Sequence, residues 1–235
     1  MTRNTGLLAK NRERQVLSMN KDWSELNKTM QLQLKKKDTF NEGIASLFEL
    51  RKELWNTLLS YKAELKREDF DSIPFINAEG YHSKTIAYSL WHVFRIEDIV
   101  AHTLIKGDEQ VLFAKGYNEK TGSPIITTGN ELVKEEIADF SKQLDLDELY
   151  SYMSDVKKSS EKILKSISFD DMKKKISDDR RKELESLGVV SEDESAIWLI
   201  DYWCKKDIRG LIQMPFSRHW IMHIEACERI RRKIS

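Results

Sequence analysis

Apolar residues recur at steps of three and four positions along most of the chain, the spacing that places side chains on one face of an α-helix. The first such stripe consists of Val16, Met19, Trp23, Leu26 and Met30. A second stripe follows Thr39 and Glu42, a pair typical of a capped helix start, and consists of Ile44, Leu47, Phe48, Leu54, Trp55, Leu58 and Leu65. This pattern predicts an all-α protein.

The segment from Ser83 to Ile105 differs from these stripes because it leaves almost no polar face. Its apolar positions are Ile86, Leu90, Trp91, Val93, Phe94, Ile96, Ile99, Val100, Leu104 and Ile105. A helix that is apolar on all sides is normally buried among other helices. We therefore expect this segment to form the central helix of a bundle.

The same spacing predicts further helices over residues 130–144, 145–167, 170–187, 196–206 and 216–233. Two of their starts are indicated by capping pairs, Thr128 with Glu131 and Ser191 with Glu194. The segment 170–187 is very polar, and we expect this helical insertion to be either a peripheral helix or a partly mobile arm. The stretch from Gly107 to Gly129 contains several turn-forming residues and predicts a loop.

The composition narrows the class of protein. A hydrophobic share of 40% beside 33% charged residues is ordinary for a globular domain. The 39 basic and 39 acidic side chains balance, which argues against a partner that is nucleic acid. No apolar run approaches the roughly 20 residues that span a bilayer, which argues against a membrane partner. With only two cysteines and no leader segment, we expect a cytoplasmic protein that acts on a small molecule.

Three of the five histidines form the most informative constellation. His219 and His223 are four residues apart, so they lie on one face of the last predicted helix and can bind one metal ion together. His92 lies in the middle of the most apolar helix, where a buried imidazole needs partners for both ring nitrogens. Since helical bundles build metal sites from inward side chains on facing helices, we expect His92, His219 and His223 to bind one divalent ion.

Two stretches of the chain resemble a known family. Residues 89–98, Ser-Leu-Trp-His-Val-Phe-Arg-Ile-Glu-Asp, and residues 218–223, Arg-His-Trp-Ile-Met-His, are similar in content and order to the histidine signatures of the DinB/YfiT-like superfamily. The resemblance covers roughly residues 40–233. It implies a four-helix bundle over residues 39–235, and it implies that the three histidines are the metal ligands. The extra N-terminal helix in residues 1–38 and the polar insertion around residues 170–190 are departures from that family.

The resemblance also implies a function, a metal-dependent transferase that uses a low-molecular-weight thiol as co-substrate, or a hydrolase. The chain departs from the thiol-transferase branch after the last histidine, where Ile224, Glu225 and Ala226 replace Arg-Gly-Gln. The alternatives are a non-catalytic bundle with a structural metal or none, and a small-molecule-binding stress-response protein.

Several details of the site stay open at this point. Imidazole ligands suit several ions, of which zinc or nickel is expected. Cys227 extends the stripe of His219 and His223 and is either a fourth ligand or a small packing residue. Asp201 is either a carboxylate that orients a ligand histidine or one partner of a surface ion pair. The N-terminal helix, marked by Trp23 and Met30, either packs as a fifth helix or forms the contact of a homodimer.

Overall fold

The computed structural model describes residues 21–234, and within that range the secondary structure is helical apart from one isolated β-bridge between Lys175 and Asp207. The first half contains α1 (residues 21–33), α2 (Phe40–Glu64), α3 (Arg67–Phe70), α4 (Ile86–Asp98), α5 (Val111–Ala114) and α6 (Tyr117–Lys120). The second half contains α7 (Glu135–Gln143), α8 (Leu146–Ser166), α9 (Asp178–Ser186), α10 (Glu194–Cys204), α11 (Ile208–Ile212) and α12 (His219–Ile234). The prediction of an all-α protein is confirmed for these residues.

Two helices continue as wider, π-helical turns. The turns Ile99–Lys106 extend α4, and Gly107 ends them with a left-handed φ of 76°. The turns Met214–Arg218 lead directly into α12. None of the helices in the range that the structure covers is both long and apolar enough to cross a membrane.

The predicted capping pairs are mostly wrong in detail. Helix α2 does begin after Thr39, but the Thr39 hydroxyl donates to the carbonyl of Gln33 at 2.8 Å. Thr128 and Glu131 lie in a loop, and α7 begins only at Glu135. Helix α10 is capped by Asp193, whose carboxylate accepts from the backbone N–H of Ser195 at 2.8 Å, and Ser191 does not fill that position.

The central position of α4 is confirmed. All of its side chains are buried, and it packs against α8 on one side and α12 on another, with α7 and α5 also in contact. The apolar side chains of α4 divide between two core clusters, one extending toward α7 and the other toward α10 and α11. Every polar side chain on α4 therefore needs a partner inside the protein.

Helix α1 packs into the core of the same chain. Trp23 and Met30 are almost fully buried, and so is Leu34 just beyond the helix. The contact is close at Gly43 of α2, where a Cβ atom would lie only 2.9 Å from the backbone nitrogen of Leu34. These contacts correspond to the packing expected of an added helix. Val16 and Met19 of the predicted stripe lie outside the described residues.

The polar segment 170–187 forms a short 3-10 turn, Asp170–Lys173, followed by α9. Several contacts hold it to the rest of the chain. Leu184 is buried in a core cluster, and the guanidinium of Arg180 lies against Gly107, where no side chain would fit. The insertion is thus peripheral but docked.

The Glu97 carboxylate connects α4 to the three other long helices. It forms a two-pronged ion pair with Arg51 of α2, with N–O distances of 2.7 and 2.9 Å. It also accepts from the hydroxyl of Ser160 on α8 and, at 2.7 Å, from the indole N–H of Trp220 on α12. The Arg51 guanidinium lies 4.4 Å from the centre of the Trp220 ring. The two oxygens of the buried Glu97 carboxylate therefore accept four hydrogen bonds, which offsets the cost of burying its charge.

The neighbouring Asp98 connects α4 to α5 and to α8. Its two carboxylate oxygens accept from the backbone N–H groups of Val111 and Leu112 at 2.8 and 2.9 Å, and from the Tyr152 hydroxyl at 2.9 Å. Arg95, three residues earlier on α4, approaches Asp98 at 3.5 Å.

We expect Arg51→Met to lower the free energy of unfolding by about 3–5 kcal/mol, because it leaves the Glu97 charge buried and unpaired. Urea unfolding monitored by circular dichroism measures this change. The matched control is Lys142→Met, which breaks the exposed pair with Asp139 and should leave the midpoint unchanged. A loss of stability no larger than that of the control would show that the buried pair does not hold the helices together.

Candidate metal centre

The structure brings His92, His219 and His223 together. Their ring centroids are separated by 5.0 Å between His92 and His219, 4.8 Å between His92 and His223, and 4.6 Å between His219 and His223. One nitrogen from each ring can be chosen so that all three lie within 4.8 Å of one another. Among the described residues, this is the one group of histidine, cysteine or carboxylate side chains arranged closely enough to hold a metal ion.

Two helices, α4 and α12, position these rings. His219 and His223 share one face of α12 because they are four residues apart, and His92 projects from α4 toward them. Trp220 is the residue after His219, and its bond to Glu97 fixes the rotation of α12 about its own axis. That rotation turns His219 and His223 toward α4.

A backbone hydrogen bond fixes the tautomer of His92. Its Nδ1–H donates to the carbonyl of Thr128 at 2.8 Å, which leaves the lone pair of Nε2 free for a metal ion. Such a carbonyl contact on the far side of the ring is the usual way in which proteins orient a metal-binding histidine. Sequence reasoning considered Thr128 only as a capping residue and could not predict this contact, because the partner of His92 is a backbone atom in a loop.

The other two rings lack such a partner. The Nδ1 atoms of His219 and His223 are buried and have no hydrogen-bond partner among the described residues. A buried polar nitrogen without a partner destabilises the folded state. Coordination of a metal ion is one way to offset that cost, so the residues present fit a bound divalent ion.

Burial keeps all three imidazoles neutral. The rings of His92, His219 and His223 are only 5, 7 and 5% exposed. Loss of hydration lowers the pKa of His92 to about 4, although its bond to Thr128 acts in the opposite direction. Burial and the neighbouring rings also lower the pKa of His219 and of His223 well below the usual value. Neutral imidazole is the form that binds a metal ion.

Aromatic and cationic side chains surround the three histidines. The Tyr88 ring stacks on His92 with centroids 5.4 Å apart and an angle of 12°. The Tyr81 ring lies 5.8 Å from His223 and 4.1 Å from His82. The ammonium of Lys84 lies 4.8 Å from the centre of the Tyr88 ring. Sequence reasoning singled out none of Tyr81, His82 and Lys84.

The two neighbours considered from sequence do not join the three histidines. Asp201 bonds Lys205 and Arg181, each at 2.7 Å, as a half-exposed surface ion pair. Cys227 is fully buried beside Ser89, and burial raises the pKa of its thiol to about 12. A neutral thiol in that position packs in the core, which is the second of the two roles considered for it.

Comparisons with known proteins add nothing to this assignment. No protein-family model matches the chain, and a search of curated proteins finds no similar sequence. The geometry of the three histidines is therefore the basis for any statement about function.

We expect the metal-free protein to lose stability as the pH falls from about 6.5 toward about 4. The unfolded chain takes up protons on histidine near pH 6.5, whereas the buried His92 ring does so only near its pKa of about 4. Because the unfolded state binds more protons across this window, stability falls with falling pH, by about 2 kcal/mol near pH 5 from His92 alone. Urea unfolding at several pH values in the presence of a chelator measures this loss of stability.

The variant His219→Ala isolates the contribution of the triad, since it removes one buried imidazole and leaves the carboxylates in place. Its stability should fall less steeply between pH 7 and pH 5 than that of the parent protein. Equal slopes for the two proteins would contradict the assignment of neutral, buried histidines.

Proposed function

We propose that this protein binds one divalent metal ion through His92, His219 and His223 and acts as a metal-dependent enzyme on a small molecule. The observation that carries the proposal is the convergence of three buried, neutral imidazoles within 4.8 Å. Three ligands of this kind are typical of catalytic zinc sites, which keep a coordination position for water or substrate.

The ligand count favours catalysis over a purely structural role. Structural zinc sites are normally closed by four protein ligands. In the part of the chain that the structure describes, no cysteine or carboxylate joins the three histidines. Cys227, which could have closed the site, lies beside Ser89 with its thiol protonated at neutral pH.

The resemblance to the DinB/YfiT-like superfamily supports a more specific proposal for the fold. The four longest helices that pack together are α2, α4, α8 and α12, with α4 against α8 and α12, and α12 against α2. We propose that they form the four-helix bundle of that superfamily. In this arrangement the histidines come from its second and fourth long helices.

The same resemblance supports a reaction type, transfer to or from a low-molecular-weight thiol, with hydrolysis as the related alternative. A bound divalent ion lowers the pKa of a thiol or water molecule at its open position and so favours the nucleophilic form. The protein contributes three neutral ligands that leave the full charge of the ion in place.

The first experiment is elemental analysis of protein purified without a histidine tag. We expect near one equivalent of zinc or nickel per chain, and less than a tenth of that in His219→Ala. The matched control is His82→Ala, which removes a histidine beside the triad that is not one of its members. Failure to bind any of several divalent ions after reconstitution would overturn the proposal.

A second variant distinguishes a metal site with an open coordination position from one that is closed by four protein ligands. We expect Cys227→Ala to keep its metal content, because the thiol packs against Ser89 and does not coordinate. The visible spectrum of the cobalt-loaded parent protein should likewise lack a cysteine-to-cobalt band. Loss of metal from Cys227→Ala would indicate four protein ligands and a structural role.

A further inference from the structure

Lys84 is a half-buried cation beside the three histidines. It lies just before Thr85, whose side chain caps the N-terminus of α4, and its Nζ lies 4.8 Å from the Tyr88 ring centre. Tyr88 in turn stacks on His92 at 5.4 Å. These two contacts place the ammonium no more than about 10 Å from the His92 ring.

The charge of Lys84 is not matched by a carboxylate. Its Nζ donates to the backbone carbonyl of Leu132 at 3.3 Å, and no ion pair with a described Asp or Glu accompanies that bond. Burial lowers the pKa of Lys84, and no neighbouring carboxylate acts against that effect. A partly desolvated ammonium without a counter-ion destabilises the protein unless an anion binds beside it.

The surroundings of Lys84 add to its positive potential. The N-terminus of α4 carries the positive end of the helix dipole. The three histidines are neutral ligands, so they leave the charge of a bound divalent ion uncompensated. A molecule that occupies this region is favoured if it is negatively charged at more than one point.

We propose that Lys84 determines substrate specificity by binding a carboxylate of the small molecule whose thiol occupies the open position of the metal ion. This inference rests on the proposed function, because it requires the metal ion at the three histidines. The proposed substrate class is an anionic thiol. Lys84 is the residue that distinguishes an anionic thiol from a neutral thiol of the same size.

The test uses two thiols that differ only in charge, mercaptopropionate and mercaptopropanol, and the cobalt-loaded protein. Titration of the sulfur-to-cobalt absorption band gives a dissociation constant for each. We expect the parent protein to bind mercaptopropionate at least tenfold more tightly than mercaptopropanol. In Lys84→Met the two constants should agree within about twofold, with the constant for mercaptopropanol unchanged.

The matched control is Lys206→Met. Lys206 is also half-buried and its Nζ lies 4.0 Å from the Tyr202 ring, so it makes the same kind of contact outside the triad. This variant should keep the tenfold preference, and Lys84→Arg should keep most of it. A preference that survives in Lys84→Met, or that is missing from the parent protein, would overturn the assignment of Lys84.

The outcomes separate the two proposals. If the protein takes up cobalt and both thiols bind equally well, the role of Lys84 is wrong and the metal centre stands. If the protein takes up no cobalt, the metal centre is wrong and the role of Lys84 falls with it.

Discussion

A single buried carboxylate, that of Glu97, holds the four longest helices in register. Its oxygens bind Arg51 of α2, Ser160 of α8 and Trp220 of α12. An isolated carboxylate in an apolar core would be strongly destabilising, so folding must bring all three partners to it together. The requirement is directional, because hydrogen bonds fix angles as well as distances. Apolar packing alone would leave the rotation of each helix less well defined.

That directional constraint determines the geometry of the metal centre. Trp220 and His219 are adjacent on α12, so the indole bond to Glu97 and the orientation of the imidazole are set by the same rotation. Glu97 and His92 are five residues apart on α4, which places them on different sides of that helix. The carboxylate thus anchors the neighbouring helices from one side of α4 while the histidine faces α12 from another. The contacts of Glu97 and the three histidines are therefore coupled through the orientation of α12, although they share no atom.

Sequence periodicity was sufficient for the long helices and for the pairing of His219 with His223, because both depend on spacing within one helix. It did not predict the short helices α3, α5, α6 and α11, of which α5 and α6 lie in the stretch predicted as a loop. The central position of α4 followed from its lack of a polar face, and the pair on α12 followed from a four-residue step. The pairing of Glu97 with Arg51 could not be predicted from this periodicity. Arg51 lies at a buried position of α2, within an otherwise apolar stripe, and such a charge indicates only that some partner exists. The capping pairs also failed, since a loop such as residues 127–134 can use the same side chains for its own hydrogen bonds.

The features missing from the sequence analysis are those that depend on loops. The Thr128 carbonyl that orients His92 belongs to the segment after α6, and Lys84 belongs to the segment before α4. Neither segment has a periodicity from which its position could be predicted. Both nevertheless act on the same ring system, one through a hydrogen bond to His92 and the other through the Tyr88 ring stacked on it. The helices therefore supply the three imidazoles, whereas the loops control the tautomer of His92 and the charge around the three rings. Since the charge around a metal ion decides which ligands it attracts, the proposed enzyme would take its metal ligands from the helices and its substrate specificity from the loops.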